Sequence, residues 1–107
     1  MLYLKKIGGF YMKSTFWEAF DNADEAGEET IKAVASILFD RWKDEVCELT
    51  DLVMVINHKC WAHYRDGNEK LSGIYGDLYY EYYEKAIDYM ESKNMEEEIS
   101  YFVRTLD

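Results

Sequence analysis

Two histidines and a cysteine stand together in His58-x-Cys60-x-x-His63, side chains that could bind a metal ion or arm a thiol nucleophile. Helical geometry separates them. At about 100° per residue, His58 and Cys60 point about 200° apart and His58 and His63 about 140° apart, whereas zinc motifs on helices place histidines at i and i+4. The spacing predicts a core-facing Cys60, two surface or rim histidines, and no metal site. No oxyanion loop is visible for acyl chemistry. The Glu-x-x-His motif of di-metal bundles is absent, as are glycine-rich phosphate loops. The chain reads as non-enzymatic, with no catalytic residue and no cofactor.

The chemistry that remains is electrostatic. Asp77, Glu81, Glu84, Asp88 and Glu91 follow one another at spacings of 4, 3, 4 and 3, which on a helix keeps all five carboxylates within an arc of about 80°. Only Lys70 shares that arc, and Lys85 flanks it. A solvated face usually interleaves Lys with Glu at i,i+4; here like charges stand beside each other, at a cost of a few tenths of a kcal/mol per pair. The face is either a solubilising surface or a binding surface for something basic. As a mimic of nucleic acid it is sparse: one charge per ~4–5 Å of helix, against one per ~1.7 Å along duplex DNA. A second acidic group at Asp40, Asp44, Glu45, Glu48 and Asp51 would have to contribute. Tyr79-Tyr80-Glu81-Tyr82-Tyr83 overlaps the stripe, with Tyr79 and Tyr82 expected in the core. Tyr80 and Tyr83 either merely flank that core or form an exposed patch suited to arginine through pairing and cation–π contact.

Composition agrees with a folded binding module. The 107 residues suffice for one core, and a hydrophobic fraction of 49% with 17% aromatic excludes an acidic disordered tail. Acids outnumber bases by 22 to 12, for a net charge of -10, which argues against direct binding to nucleic acid or anionic membrane. No segment approaches the ~20 apolar residues of a membrane span. The first residues do not read as a signal peptide, and two cysteines are too few for a disulfide framework, so a cytoplasmic protein with reduced thiols is expected.

The elements that must position these groups follow from periodicity. Residues 1–13 form an arm around Gly8-Gly9, either a short hairpin or an extended segment. Residues 14–107 form a single acidic helical domain. Thr15 and Glu18 suggest a capping box opening a helix to Ala26, with Phe16, Phe20 and Ala23 inward and Gly27 as its stop. A second helix starts near Glu28, with Ile31, Val34, Ala35, Leu38 and Trp42 inward. A third, from Glu48 to Arg65, buries Leu49, Leu52, Val53, Ile56, Cys60 and Tyr64; Met54, Val55 and Trp61 extend its apolar surface, so it is expected at the centre. Asp66-Gly67-Asn68 is a turn with Asn68 as the next N-cap. The fourth helix, Glu69 to Ser92, turns Leu71, Ile74, Tyr75, Leu78, Tyr79, Tyr82, Ala86 and Tyr89 inward, and Gly73 and Gly76 weaken it unless they admit a neighbouring backbone. The tail from Met95 to Asp107 reads as a last helical turn or a short strand at Ile99–Val103. The expected fold is mainly α, a compact bundle of about four helices with a possible N-terminal hairpin or arm.

Phe16-Trp17-Glu18-Ala19-Phe20, the run Leu49-Thr50-Asp51-Leu52-Val53-Met54-Val55-Ile56-Asn57-His58-Lys59, Trp61-x-His63-Tyr64 and the ending Tyr101-Phe102-Val103-Arg104-Thr105-Leu106-Asp107 carry a resemblance. Over about residues 11–107 the chain resembles a family of small acidic proteins of conjugative elements and prophages of Gram-positive bacteria. Some small acidic proteins of such elements are type II-A anti-CRISPRs, inhibitors of Cas9. The resemblance implies a mobile-element inhibitor acting in the host cytoplasm on a basic protein such as Cas9 or its guide-RNA complex. It transfers no functional residue. The alternative is a homo-oligomeric structural or regulatory protein of the element, a homodimer for instance, with no basic partner.

Overall fold

The computed structural model describes residues 4–7 and 10–107, with side chains from Thr15 onward. Strands β1 (Leu4–Ile7) and β2 (Phe10–Lys13) pair antiparallel, Leu4 opposite Lys13 and Ile7 opposite Phe10. Helices α1 (Ser14–Ala26), α2 (Glu28–Trp42), α3 (Val46–Arg65), α4 (Glu69–Ser92) and α5 (Glu96–Leu106) follow. Helix α1 begins one residue ahead of Thr15, so Thr15 lies inside the first turn and does not cap it.

The junctions are set by local chemistry. Gly27 has φ 106°, a backbone state that L side chains resist, and it both ends α1 and accepts the first bond of α2 from Ile31. Helix α3 closes with a Schellman motif: Asn68 N–H donates to His63 C=O and Gly67 N–H to Tyr64 C=O, with Gly67 at φ 77°. Asn68 then caps α4 by accepting the Leu71 N–H at 3.1 Å. The same pattern ends α4, where Asn94 takes the left-handed position at φ 57° and Met95 N–H donates to Met90 C=O.

That second stop frees residues 96–106 to form a helix of 11 residues, in place of the single turn or strand that the sequence suggested. Glu96, Glu97 and Glu98 stand in its first turn, where the helix dipole favours them. Phe102, fully buried, fixes it to the rest.

Helix α3 is the centre of the bundle. It packs against every other helix, most extensively against α4, and Leu49, Leu52, Val53, Val55 and Ile56 are wholly buried on it. Burying each such side chain contributes about 1.5–3 kcal/mol. Helix α4 supplies Ile74, Tyr75, Leu78, Tyr82, Ala86 and Met90. Aromatic contacts join helices in pairs: Phe16 with Trp42 (α1–α2), Phe20 with Tyr75 (α1–α4), Phe39 with Tyr82 (α2–α4) and Tyr83 with Phe102 (α4–α5), all at centroid distances between 5.2 and 6.2 Å. Cys60 Sγ sits beside Ser72 Oγ at 3.6 Å. A Cβ on Gly76 would stand 3.4 Å from that sulfur, so a side chain, not a backbone, approaches this glycine; Gly73 meets nothing within 4 Å.

The apolar stripe of α3 ends earlier than its periodicity suggests. Tyr64 is 64% exposed and Trp61 54%, and their rings touch each other edge-on at 5.8 Å. Leu38 is half-buried rather than enclosed.

Candidate functional site

Helix α4 is 24 residues long, about 36 Å at 1.5 Å per residue. Its buried face is held by α2, α3 and α5, and that packing presents Asp77, Glu81, Glu84, Asp88 and Glu91 to solvent, all five exposed. Among the described residues, Glu81 is the one member with cationic company. Lys85 Nζ lies 3.0 Å from its carboxylate, and Lys32 of α2 lies near enough to feel its charge. Among the described residues no ion pair reaches Asp77, Glu84, Asp88 or Glu91. Lys70, which shares the arc of the stripe, acts instead on Glu28 of α2.

The acidic surface continues sideways. Asp40, in the last turn of α2, and Asp44, just beyond it, are exposed, and the Asp44 carboxylate accepts a hydrogen bond from the Tyr89 hydroxyl of α4. Glu45 is exposed too, but Glu48 and Asp51 are half-buried on α3 and engaged in contacts of their own. The second acidic group is therefore split, with Asp40 and Asp44 adjoining α4.

Along the other edge of the stripe lie tyrosines. Tyr80 is 72% exposed, whereas Tyr83 is half-buried against Phe102 of α5, with ring centroids 5.2 Å apart. Tyr79 touches both, at 5.6 Å from Tyr80 and 5.9 Å from Tyr83. These three rings, Glu84 and Asp107 line a shallow hollow of about 230 Å³. Burial first, and then the Asp107 carboxylate, push the Tyr83 hydroxyl above its ordinary pKa.

A second constellation is internal, and sequence reasoning missed it. Lys59 Nζ lies 2.5 Å from Asp21 Oδ1 and 2.6 Å from Asp24 Oδ2, and the lysine side chain is only 3% exposed. His63 Nε2 is 2.9 Å from Asp24 Oδ2; a carboxylate only accepts, so Nε2 carries the proton. The Tyr75 hydroxyl donates to Asp24 Oδ1, and its ring stacks on His63 at 5.5 Å. Burial, followed by the Asp24 carboxylate, drives the Tyr75 pKa far upward. The rings of Trp17 and Tyr75 flank the ammonium at 5.3 and 5.5 Å. One sequence signal exists: Leu52, Ile56, Lys59 and His63 recur at spacings of 4, 3 and 4, putting a lysine on the apolar face. Lys59 is enclosed by two carboxylates and two rings, which suits a structural clamp and not a nucleophile.

Comparison with protein-family models, curated proteins and solved structures finds no match to this chain. The functional reading therefore rests on the site itself.

His58, Cys60 and His63 do not converge. His58 lines a different hollow with Met54, Asn57, Thr105, Leu106 and Asp107, Cys60 faces α4, and His63 faces α1. Among the described residues no group of three His, Cys, Asp or Glu side chains is placed to hold a metal ion. Cys47 and Cys60 are free thiols. No described helix is long and apolar enough to cross a membrane.

Proposed function

We propose that the protein is a non-enzymatic inhibitor that docks the acidic face of α4 onto a basic, nucleic-acid-handling protein, Cas9 above all, as an anti-CRISPR of a mobile genetic element. It acts in the cytoplasm of the bacterial host. One observation carries this reading: Asp77, Glu84, Asp88 and Glu91 stand exposed on one face, and no ion pair among the described residues reaches them. Like-charge neighbours on a helix cost a few tenths of a kcal/mol each, and that cost is recovered when cations of a partner meet them. The channel of Cas9 that holds the guide–target heteroduplex is positively charged and recognises backbone geometry, so an acidic rod is a competitor of the right sign. Tyr80, exposed beside the acids, adds the kind of aromatic contact that dominates binding energy at interfaces.

A second reading, a homo-oligomeric regulatory or structural protein, draws on the exposed Trp61–Tyr64 pair at the end of α3. The test is capture from cells expressing Cas9 with its guide RNA, using the parent and a Glu81→Gln, Glu84→Gln, Asp88→Asn variant. Capture by the parent, weakened by salt and steeply reduced in the variant, supports inhibition through the acidic face. A tight dimer with α4 acids outside its interface, and no Cas9 capture, favours the second reading.

A further inference from the structure

The hollow beside the acidic stripe has walls of unusual composition. Tyr79, Tyr80 and Tyr83 form them, Glu84 and Asp107 supply two carboxylates, and among the described residues no lysine or arginine lines it. Aromatic faces carry negative quadrupole potential, so rings and carboxylates here favour the same sign of guest. An uncharged guest would desolvate Glu84 without compensation and leave Asp107 only the Tyr83 hydroxyl as a donor. A calcium ion needs six to eight oxygen ligands, which three ring walls and two carboxylates do not supply. Size narrows the guest further. At about 230 Å³ the hollow is smaller than the ~300–1,000 Å³ of drug-sized ligand sites. It suits a single planar cation at the end of a side chain.

We propose that this hollow binds the guanidinium group of an arginine side chain presented by a protein partner. Guanidinium is the better fit of the two biological side-chain cations. It is planar and weakly hydrated, stacks on aromatic rings, and offers a fork of N–H donors to carboxylates, whereas the lysine ammonium is a compact, strongly hydrated charge. Tyr83 is fixed by its contact with Phe102, and Tyr79 packs on it, so two walls are preformed. Tyr80 is the exposed wall that can close over the guest. Burial leads in raising the pKa values of the Tyr79 and Tyr83 hydroxyls, and the Asp107 charge adds to the shift of both. Glu84 belongs to the stripe as well as to the hollow, and the inference therefore deepens the acidic-face reading by naming the group that this end of the face recognises.

The experiment is a titration of the full chain, followed by NMR of backbone amides, with N-acetyl-arginine amide, its lysine counterpart and its uncharged citrulline counterpart. The arginine amide should shift resonances around Tyr79–Glu84 and Asp107 and bind about tenfold more tightly than the citrulline amide, with the lysine amide between. Tyr80→Ala and Glu84→Gln, both on the exposed rim, should each weaken the arginine amide about threefold or more. Equal binding of arginine and citrulline amides, or an arginine-amide affinity unchanged in both variants, overturns the proposal. Arginine-amide binding at the hollow without Cas9 capture supports the hollow and sinks Cas9 as the partner. Cas9 capture without arginine-amide binding overturns the hollow and leaves the acidic-face reading standing.

Discussion

Lys59 and Asp24, thirty-five residues apart in sequence, meet at 2.6 Å in the interior, and through that pair the middle of α3 holds the end of α1. Asp24 also accepts from His63 and Tyr75, so one carboxylate receives donors from two helices.

Removing one partner of a buried ion pair strands the other. Lys59→Met should destabilise the protein by about 3–5 kcal/mol in denaturant melts, and Lys59→Met combined with Asp24→Leu should recover much of that loss. Asp21 is half-exposed, with 49% of its side chain accessible, so Asp21→Asn should cost no more than about 1 kcal/mol. A Lys59→Met variant as stable as the parent would mean that the clamp contributes nothing.

Phe102 alone of α5 is fully enclosed, where it contacts the ring of Tyr83. Phe102→Ala should cost about 3–5 kcal/mol. Loss of amide protection confined to α5 and its contacts would show that the helix detaches; unchanged protection would contradict its docking role.

Two glycines should respond in opposite directions to alanine. Gly73 is helical and open on all sides, so Gly73→Ala should stabilise by about 0.5–1 kcal/mol and raise the Tm by several degrees. Gly27 has ample space but φ 106°, so Gly27→Ala should destabilise by about 1 kcal/mol or more. Calorimetry of the two variants decides this.

His58 should make stability depend on pH. Burial chiefly, with Arg65 adding to it, lowers its pKa below the ordinary value near ~6.5 that the unfolded chain keeps. The unfolded state then binds more protons between the two values. The stability due to neutral His58 is full above about pH 6.5 and is lost as pH falls through the lower, folded value. Melting temperatures at pH 7.5 and 5 should fall further apart in the parent than in His58→Gln. Equal slopes would show that His58 titrates alike in both states.

What could be read in advance was what depends on one helix at a time. The bounds of α4, the stop at Gly27 and the cap at Asn68 rest on local signals, as does the exposure of the acidic stripe, which needs only the period of a single helix. Helix α5 was harder. Its stop signal upstream is Asn94, a left-handed residue other than glycine, and Ile99 and Val103 carry strand propensity. The Lys59 clamp was hidden because its partners lie on another helix far along the chain. Periodicity left Tyr83 either flanking the core or in an exposed patch; it is half-buried because α5, an element remote in sequence, packs over its ring. The hollow needed Asp107 beside Tyr79 and Tyr83, a proximity that no spacing encodes.

The Asp24 clamp also implies an order of assembly. Its three donors lie 35, 39 and 51 positions further along the chain. Helices α3 and α4, by contrast, are joined across only the short turn at residues 66–68. Closing a short loop costs less chain entropy than closing a long one, so the α3–α4 hairpin is expected to collapse first and α1 to lock on last. In the native state the same hierarchy runs backwards. Amides of α1 should then exchange through an opening that leaves α3 and α4 closed, and simultaneous exchange of all three would refute that sequence of events.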